Sequence, residues 1–459
     1  MNLFAASTQP DSAVWQVTPL TAVPLIIGAV LIALLFWGSR VPLRYNLRSV
    51  TVRWRSALLT ALAFTLVIAL MTVMLAFVNG MYRLTQGSGQ PGNVLVLSQG
   101  STDETFSNLG FSDVGDLELQ RGVLKDAETG RPMSSRETYV VVNQPVVHPQ
   151  PGRPKGRFLQ VRGVEDAALA GRVHALELLP GSEWISPEGV QNVAAGGTAI
   201  EAVIGEGVAN ELGRDRLPEV LAKARNPARL EIGDTFSVGD RLWVVVGLIK
   251  SSGSTFDSEI WAKRAIVGPM FGKDSYTSVV LRTSGAKEAA KLRDYLKTDY
   301  AKAAVQAYVE TEYFASLAGT SKQFLVSIVF VTVIMAIGGV FGVMNTMYAA
   351  VAQRTKDVGV LRILGYTKID VQASFLRESL LLAMFGGLMG CAMGSLAHGW
   401  KAASVVGSGQ GSSKFVVLEM LVSGDILAAG LALALVMGLI GGLFPSFSAM
   451  RLRPLESLR

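Results

Sequence analysis

Residues Ser56–Tyr82 read SALLTALAFTLVIALMTVMLAFVNGMY, a run without one charged side chain. A bilayer core of about 30 Å is crossed by roughly 20 helical residues, and this run is longer. Four others match it: Ser12–Ser39, Gln323–Gln353, Ser379–Trp400 and Ile426–Met450. Helices of a water-soluble protein carry charges on their solvent side, and these do not. The chain therefore reads as an α-helical polytopic membrane protein with five spans. A polar segment, 81–321, is inserted between the second span and the third and reads as a large mixed α/β extracytoplasmic domain.

The charges set the topology. The formal net charge is +6, from 42 basic and 36 acidic residues. Between the first two spans lie Arg40, Arg44, Arg48, Arg53 and Arg55 with no acid. Between the third and fourth lie Arg354, Lys356, Arg362 and Lys368 against Asp357 and Asp370, and the tail holds Arg451, Arg453 and Arg459 against Glu456. These three short segments hold the whole positive surplus, which points to retention at the inner face of the plasma membrane rather than to nucleic acid. The expected order is an outer N-terminus (1–16), an anchor span (17–39), an inner basic segment (40–55), a span (56–80), the outer domain (81–321), a span with a stalk (322–352), an inner segment (353–372), a span (373–399), an outer loop (400–424), a last span (425–450) and an inner tail (451–459). With no basic n-region ahead of it, the first span is expected to be a retained anchor rather than a cleaved signal.

In the inner segment before the second span, Leu47, Val50, Trp54 and Leu58 recur at steps of three and four, while Arg44, Arg48 and Arg55 take another face. This predicts an amphipathic helix at the membrane surface, or simply a basic topological anchor. In the outer domain, strands are expected at Asn93–Leu97, Thr138–Val142, Phe158–Gly163, Thr198–Ile204, Thr235–Val238, Leu242–Ile249 and Ser278–Leu281. Helices are expected at Gly207–Leu212 and Ala286–Tyr300, with Thr311–Thr320 extending the third span as a stalk. The Pro-rich stretch Asn143–Gly156 reads as an edge loop or as a linker between two subdomains. Gly386, Gly390 and Gly394 repeat every four residues, a spacing that lets helices approach closely in lipid; Gly338 with Gly342 and Gly438 with Gly442 repeat it.

Sites for chemistry are sparse. Gly407-Ser-Gly-Gln-Gly-Ser-Ser-Lys414 lacks the Gly-Lys-Ser/Thr of a phosphate loop and reads as a flexible outer loop. His148, His174 and His398 are scattered, and His174 with Glu177 is expected as a surface pair. The single cysteine, Cys391, falls inside a span and reads as a packing residue. No metal, no cofactor and no catalytic residue is expected. A membrane-anchored envelope enzyme with its site in the insert remains the alternative from another class.

The most informative inner stretch is Gln353-Arg-Thr-Lys-Asp-Val-Gly-Val-Leu-Arg-Ile-Leu-Gly365. Gly365 is placed to stop a short helix, and Thr367 with Asp370 to start the next. Val360, Leu361 and Leu364, flanked by Lys356 and Arg362, give that helix an apolar patch, which either meets a partner or rests on lipid headgroups. Arg377 and Glu378 lie at the inner end of the following span, where they can pair or snorkel.

This stretch, with Asn345-Thr346, Phe375-Leu-Arg-Glu378 and the ending Phe444-Pro-Ser-Phe-Ser-Ala-Met-Arg-Leu-Arg-Pro-Leu-Glu-Ser-Leu-Arg459, resembles the permease domain of the MacB and FtsX superfamily of ABC transporters. Val203-Ile-Gly-Glu-Gly-Val-Ala-Asn-Glu-Leu212, Ile232-Gly-Asp234, Val245-Val-Gly247 and Phe256-Asp-Ser-Glu-Ile-Trp261 resemble its external domain, as in the MacB, LolC and DevC branches. The resemblance implies a non-catalytic permease subunit that pairs with a copy of itself or a paralogous permease. A separate cytoplasmic ABC ATPase would bind the ATP, and a periplasmic adaptor is a further implied partner. It also implies that Lys356, Asp357, Gly359, Val360, Leu361, Arg362, Leu364 and Gly365 form the coupling segment to that ATPase. The work would be mechanical transmission to the outer domain, for export or for lipid or lipoprotein extraction; an FtsX-like regulator of a cell-wall hydrolase is the alternative. Two features depart from the family: Asp357 stands where Glu is usual, and the anchor span is additional.

Overall fold

The computed structural model describes residue 26 and residues 41–450, apart from 128, 147–154, 194–196, 223, 252, 318 and 407–413. The expected anchor span, except Ile26, and the tail lie outside these residues. In chain order, α1 (Leu43–Val52) and α2 (Trp54–Gln86) lead into the insert. There follow β1 (Asn93–Ser98), α3 (Phe111–Leu117), β2 (Ser134–Pro145), β3 (Gly156–Val164), α4 (Ala167–His174), β4 (Val190–Asn192), β5 (Thr198–Gly205), α5 (Glu206–Arg214) and α6 (Pro218–Ala222). Next come β6 (Thr235–Val238), β7 (Arg241–Ile249), β8 (Glu259–Lys263), α7 (Arg264–Met270), β9 (Ser278–Arg282), α8 (Ala286–Thr298), β10 (Val305–Val309) and α9 (Glu310–Leu317). The chain continues through α10 (Gly319–Gln353), α11 (Thr355–Ile363), α12 (Lys368–Ser395), β11 (Lys401–Val406), β12 (Lys414–Glu419) and α13 (Gly424–Met450). It divides into two compact units: one of Met1–Gly80, Gln323–Trp400 and Glu419–Arg459, the other of Met81–Lys322 and Lys401–Leu418.

The first unit is helical. Among the described residues, four helices are long and apolar enough to cross a membrane: Trp54–Leu84, Gln323–Gln353, Lys368–Ser395 and Gly424–Met450. Close backbone approach on α12 requires glycine. A methyl group at Gly386 would sit 2.6 Å from the Ala61 carbonyl oxygen, at Gly390 2.8 Å from Ile68 Cβ, and at Gly394 2.5 Å from Thr72 Cβ, so all three lie against α2. Gly438 and Gly442 of α13 approach Ala383 and Ser379 in the same way, whereas Gly338 and Gly342 of α10 face open space. Cys391 is buried, with Leu427 at 3.7 Å.

The second unit is built on a ten-stranded sheet in the order β10-β1-β9-β2-β3-β8-β5-β7-β6, with β4 paired to β5. Pairs β3/β8 and β5/β7 are parallel, and the others are antiparallel. Seven of the strands start from the Val, Ile, Phe and Trp runs seen in the sequence, because such side chains pack well on a pleated surface. The turn between β6 and β7 is Gly239-Asp240, with φ of 56° and 57°. Two positive φ values in succession match the strands' twist in a two-residue hairpin. They bring Trp243 back over β6, where its indole nitrogen donates to the Val238 carbonyl at 3.1 Å.

Two separate cores lie on this sheet. One gathers Val161, Ile204, Trp243, Val245 and Ile260 with Val208 and Leu212 of α5; the other gathers Val94, Val279 and Val309 with Leu292 and Leu296 of α8. The boundary is not the Pro-rich stretch. Asn143–Pro145 pair with Gly156–Phe158, so both ends of the stretch lie on neighbouring strands of one sheet and the reading as a linker between subdomains is corrected. The 400–424 loop is also more ordered than expected, since β11 and β12 form a two-stranded sheet. Tyr313, Phe314 and Leu317 of α9, the helix that leads towards α10, are buried in this unit, so the segment expected as a stalk packs on the inserted domain.

Candidate functional site

The helix α11 is short because both ends are fixed by local chemistry. Gly365 takes φ +92°, the left-handed conformation that only glycine adopts freely. The Gly365 amide then donates to Arg362 and the Tyr366 amide to Leu361, the paired bonds that close a helix C-terminus. Two residues later the Thr367 hydroxyl accepts from the Asp370 amide at 3.2 Å, while the Asp370 carboxylate accepts from the Thr367 amide at 2.8 Å. That reciprocal cap starts α12.

A buried carboxylate anchors the beginning of α11. Glu378 of α12 takes Arg354 at 2.9 Å, Arg53 as a closer ion pair, and the Ser49 hydroxyl at 3.3 Å. Arg354 is also sandwiched, 4.8 Å from the Tyr45 ring and 5.2 Å from that of Phe375. A buried charge held by Glu378, with Asp357 at 3.8 Å and two aromatic faces beside it, has little freedom. The sequence placed Arg377 and Glu378 together at the helix end, but their partners are distinct: Arg377 donates to the Val41 carbonyl at 3.0 Å. Ser374 donates to Asn46 at 2.6 Å, adding a further tie between α12 and α1.

With that anchor in place, α11 turns Val358 and Gly359 inward and its apolar face outward. Val360 is 47% exposed, Ile363 61% and Leu364 69%. Leu361 and Arg362 are half-buried, and Lys356, Asp357 and Gly365 are exposed. Ile363 was missed from the sequence although its spacing from Val360 would have found it. Exposed apolar side chains grouped in this way call for apolar cover, from a partner or from lipid.

The inserted domain holds a second, wholly buried ionic cluster. Arg162 of β3 grips Glu259 of β8 with two bonds, 2.7 and 2.8 Å, reaches Glu104 at 2.8 Å, and pairs with Glu137 of β2. Tyr139, Phe256 and Trp261 pack their rings on the guanidinium at 4.9, 5.6 and 6.0 Å. His174, at the end of α4, stands between Glu137 at 2.7 Å and Glu310 at 2.8 Å. Facing carboxylates on both ring nitrogens, it must carry two protons. Burial works against the imidazolium, but the charges of Glu137 and Glu310 outweigh it and raise His174 to about 10. Burial likewise works against ionised Glu137, and Arg162 and His174 hold it down at about 2. The surface pair expected of His174 and Glu177 is corrected: Glu177 is exposed and meets Lys250 at 2.8 Å.

Glu310 also accepts from the Gln90 amide and the Asn93 side chain, both at 2.8 Å. Gln90 stands where the chain enters the inserted domain and Glu310 where it leaves the last strand, and β1 and β10 pair side by side. One carboxylate thus ties the two connections together. Among the described residues, no group of His, Cys, Asp and Glu is arranged to hold a metal ion.

Comparison with known proteins matches residues 57–307 to the MacB-like periplasmic core domain and residues 329–454 to the FtsX-like permease C-terminal domain. An uncharacterized ABC transporter permease of Methanocaldococcus jannaschii, MJ1507, is 26% identical over 240 residues, covering 50% of this chain and 58% of the relative. The uncharacterized ABC transporter permease YknZ of Bacillus subtilis is 27% identical over 248 residues, covering 49% of this chain and 57% of the relative. A macrolide export ATP-binding/permease protein, MacB of Nitrobacter winogradskyi, is 27% identical, covering 49% and 35%. The chain thus spans about half the length, or less, of these curated relatives. Among solved structures, the periplasmic region of MacB from Actinobacillus actinomycetemcomitans covers 52% of this chain and 98% of that one, at 15% identity and a TM-score of 0.32.

Proposed function

Since the chain belongs to the family of ABC transporter permeases with a MacB-like periplasmic core domain and an FtsX-like C-terminal domain, we propose that it is the membrane subunit on which a separate cytoplasmic ATPase acts. In this reading α11 is the coupling helix, and closure of the ATPase pushes it. The movement passes through the spans to the inserted domain on the outer side, with the N-terminus outside and the C-terminus inside. A second permease copy or a paralogue completes the assembly; the open face of α10 at Gly338 and Gly342 supports a helix partner there. Relatives named for macrolide export make export the leading transport class for this chain.

The observation that carries the reading is the exposed patch of Val360, Ile363 and Leu364 on a helix whose root is locked by Arg354 and Glu378. A rigid root and an apolar tip are what a transmitted push requires. The test is to purify the chain from its native membrane with whatever ATPase accompanies it, and to measure stimulated ATP hydrolysis in nanodiscs. Val360→Asp and Leu364→Asp should abolish stimulation and leave the chain inserted. These positions are better probes than the buried Gly359, where a large residue would disturb folding. Full stimulation in both variants would remove the coupling assignment.

A further inference from the structure

The seam between α12 and α13 has two sides. Ala383 meets Gly438 along it, and Ser379 meets Gly442. Gly386, Gly390 and Gly394 of α12 take α2, while Gly441 of α13 takes Val343 of α10. At the helical step of about 100° per residue, these contacts put α2 and α10 on the same side of the seam. The other side is a groove. One wall carries Leu376, Leu380 and Met384 at steps of four along α12, and the other carries Ala428, Leu435 and Leu439 at steps of seven and four along α13.

The groove does not look like a lipid face. Leu376 is 6% exposed and Leu380 and Ala428 are 4% exposed, whereas Phe385 and Phe444, turned outward on the same two helices, are 57% and 53% exposed. The chain itself supplies an occupant of the right length in the right place. Val41 is buried, and its carbonyl accepts from Arg377 at 3.0 Å, one residue beyond Leu376. The uncharged segment 17–39 therefore joins the described residues at the inner mouth of the groove. As a helix it is about 35 Å long, enough for a bilayer core of about 30 Å. A segment tethered at the mouth also meets the groove at a far higher effective concentration than a separate chain does. Within it Ile26 is 59% exposed. The helix side turned away from Ile26 carries Pro24, Gly28, Leu31 and Leu35.

We propose that segment 17–39 is a fifth span seated in the groove between α12 and α13, with Leu35 and Leu31 against Leu380, Met384 and Leu435. In this arrangement α12, the span that starts directly behind α11, is held from one side by α2 and from the other by the N-terminal segment.

The test uses the full chain in membranes, with Cys391→Ala and pairs of cysteines introduced at matched depth. Disulfides close only where the Cα atoms come within about 7 Å. L35C/M384C and L31C/L435C, one to each wall, should close under mild oxidation to yields near that of N46C/S374C, which joins two side chains already in contact. L31C/I334C, on the exposed face of α10, and L31C/L66C, on that of α2, should stay several-fold lower. The products should keep the mass of a single chain. A groove pair that closes no better than the Ile334 or Leu66 pair overturns the proposal. So does a product of doubled mass, which would place a second copy of the chain in the groove.

Discussion

Replacing His174 with Leu removes the cation that separates two buried carboxylates, Glu137 and Glu310, at 2.7 and 2.8 Å. The loss can be bounded from two directions. Raising a histidine from 6.5 to about 10 corresponds to at most about 5 kcal/mol of favourable interaction. Breaking a buried pair by deleting one partner costs about 3–5 kcal/mol, since the remaining charge has no counterpart. The loss is local, so the readout is hydrogen exchange of the peptides spanning 90–98 and 305–317 in the full chain. His174→Leu should speed exchange there by about two to three orders of magnitude at neutral pH. The pH dependence identifies the cause. The folded His174 pKa is raised, so in the parent chain its contribution is complete below about 6.5 and is lost as pH climbs through about 10. Glu137 is depressed, so its contribution is present above 4.5 and is lost as pH falls towards about 2. Protection in the parent should therefore fall on going from pH 6.5 to pH 9. In the variant the slope at acid pH reverses: with no cation between them a carboxyl takes up a proton, and lowering the pH from 7 to 5 should recover protection. The double substitution H174Q/E310Q, which removes the cation together with one anion, should recover part of it at pH 7. A His174→Leu chain with parental exchange in these peptides, or with a loss that does not change with pH, would refute the assignment of a charged buried clamp.

Gly390→Leu drives a side chain into Ile68 and the Thr65 carbonyl, with the added Cβ already 2.8 Å from each. Overpacking of this kind costs about 1–3 kcal/mol, and the melting temperature of the purified monomer in detergent should drop, whereas Gly338→Leu, facing open space within the single chain, should leave that of the monomer unchanged. Glu378→Ala leaves the buried Arg354 with only Asp357, at 3.8 Å, and the half-buried Arg53 without its carboxylate, and should cost about 3–5 kcal/mol, read as protease sensitivity at 353–365; Glu378→Gln should retain part of the protection. Gly365→Ala puts a Cβ at φ +92° and should cost about 1–2 kcal/mol of local helix-end stability, seen as faster exchange of the Gly365 and Tyr366 amides. Val360→Asp, exposed, should leave the melting temperature unchanged while stimulated ATP hydrolysis is lost.

The parts of this molecule that the sequence disclosed are those written in neighbouring residues. Four spans follow from charge-free length, and the end of α11 and start of α12 follow from Gly365, Thr367 and Asp370, each acting within three or four positions. The strand β6 coincides with its expected Thr235–Val238 because its alternation is short and clean. Strands with weaker signals escaped: β8 begins with a glutamate and ends with a lysine, and β10 carries Gln306 amid its apolar residues. The ionic clusters were not legible at all. His174 meets carboxylates 37 and 136 positions away, and Arg162 reaches Glu259 over 97. No local pattern distinguishes a histidine that will be buried between two such partners from one that will face water, so the surface reading of His174 was the natural one and was wrong.

Each buried cluster includes a carboxylate that ties down a place where the chain leaves one element for another. Glu378 holds Arg53, at the break between α1 and α2, and Arg354, between the end of α10 and α11. Glu310 holds the chain at Gln90 and Asn93 as it begins α9. Apolar packing at these junctions would stabilise as well or better, because desolvating ions is expensive. What an apolar contact does not supply is directional resistance: it slides over neighbouring side chains with small loss, whereas an ion pair moved out of register leaves an unpaired buried charge. A chain that transmits displacement through its junctions needs them to hold position rather than to be maximally stable. On that hypothesis, replacing the Glu378, Arg53 and Arg354 set by Met, Leu and Met should keep or raise the melting temperature yet lower ATPase stimulation. Full stimulation in that variant would show that the charges serve folding alone.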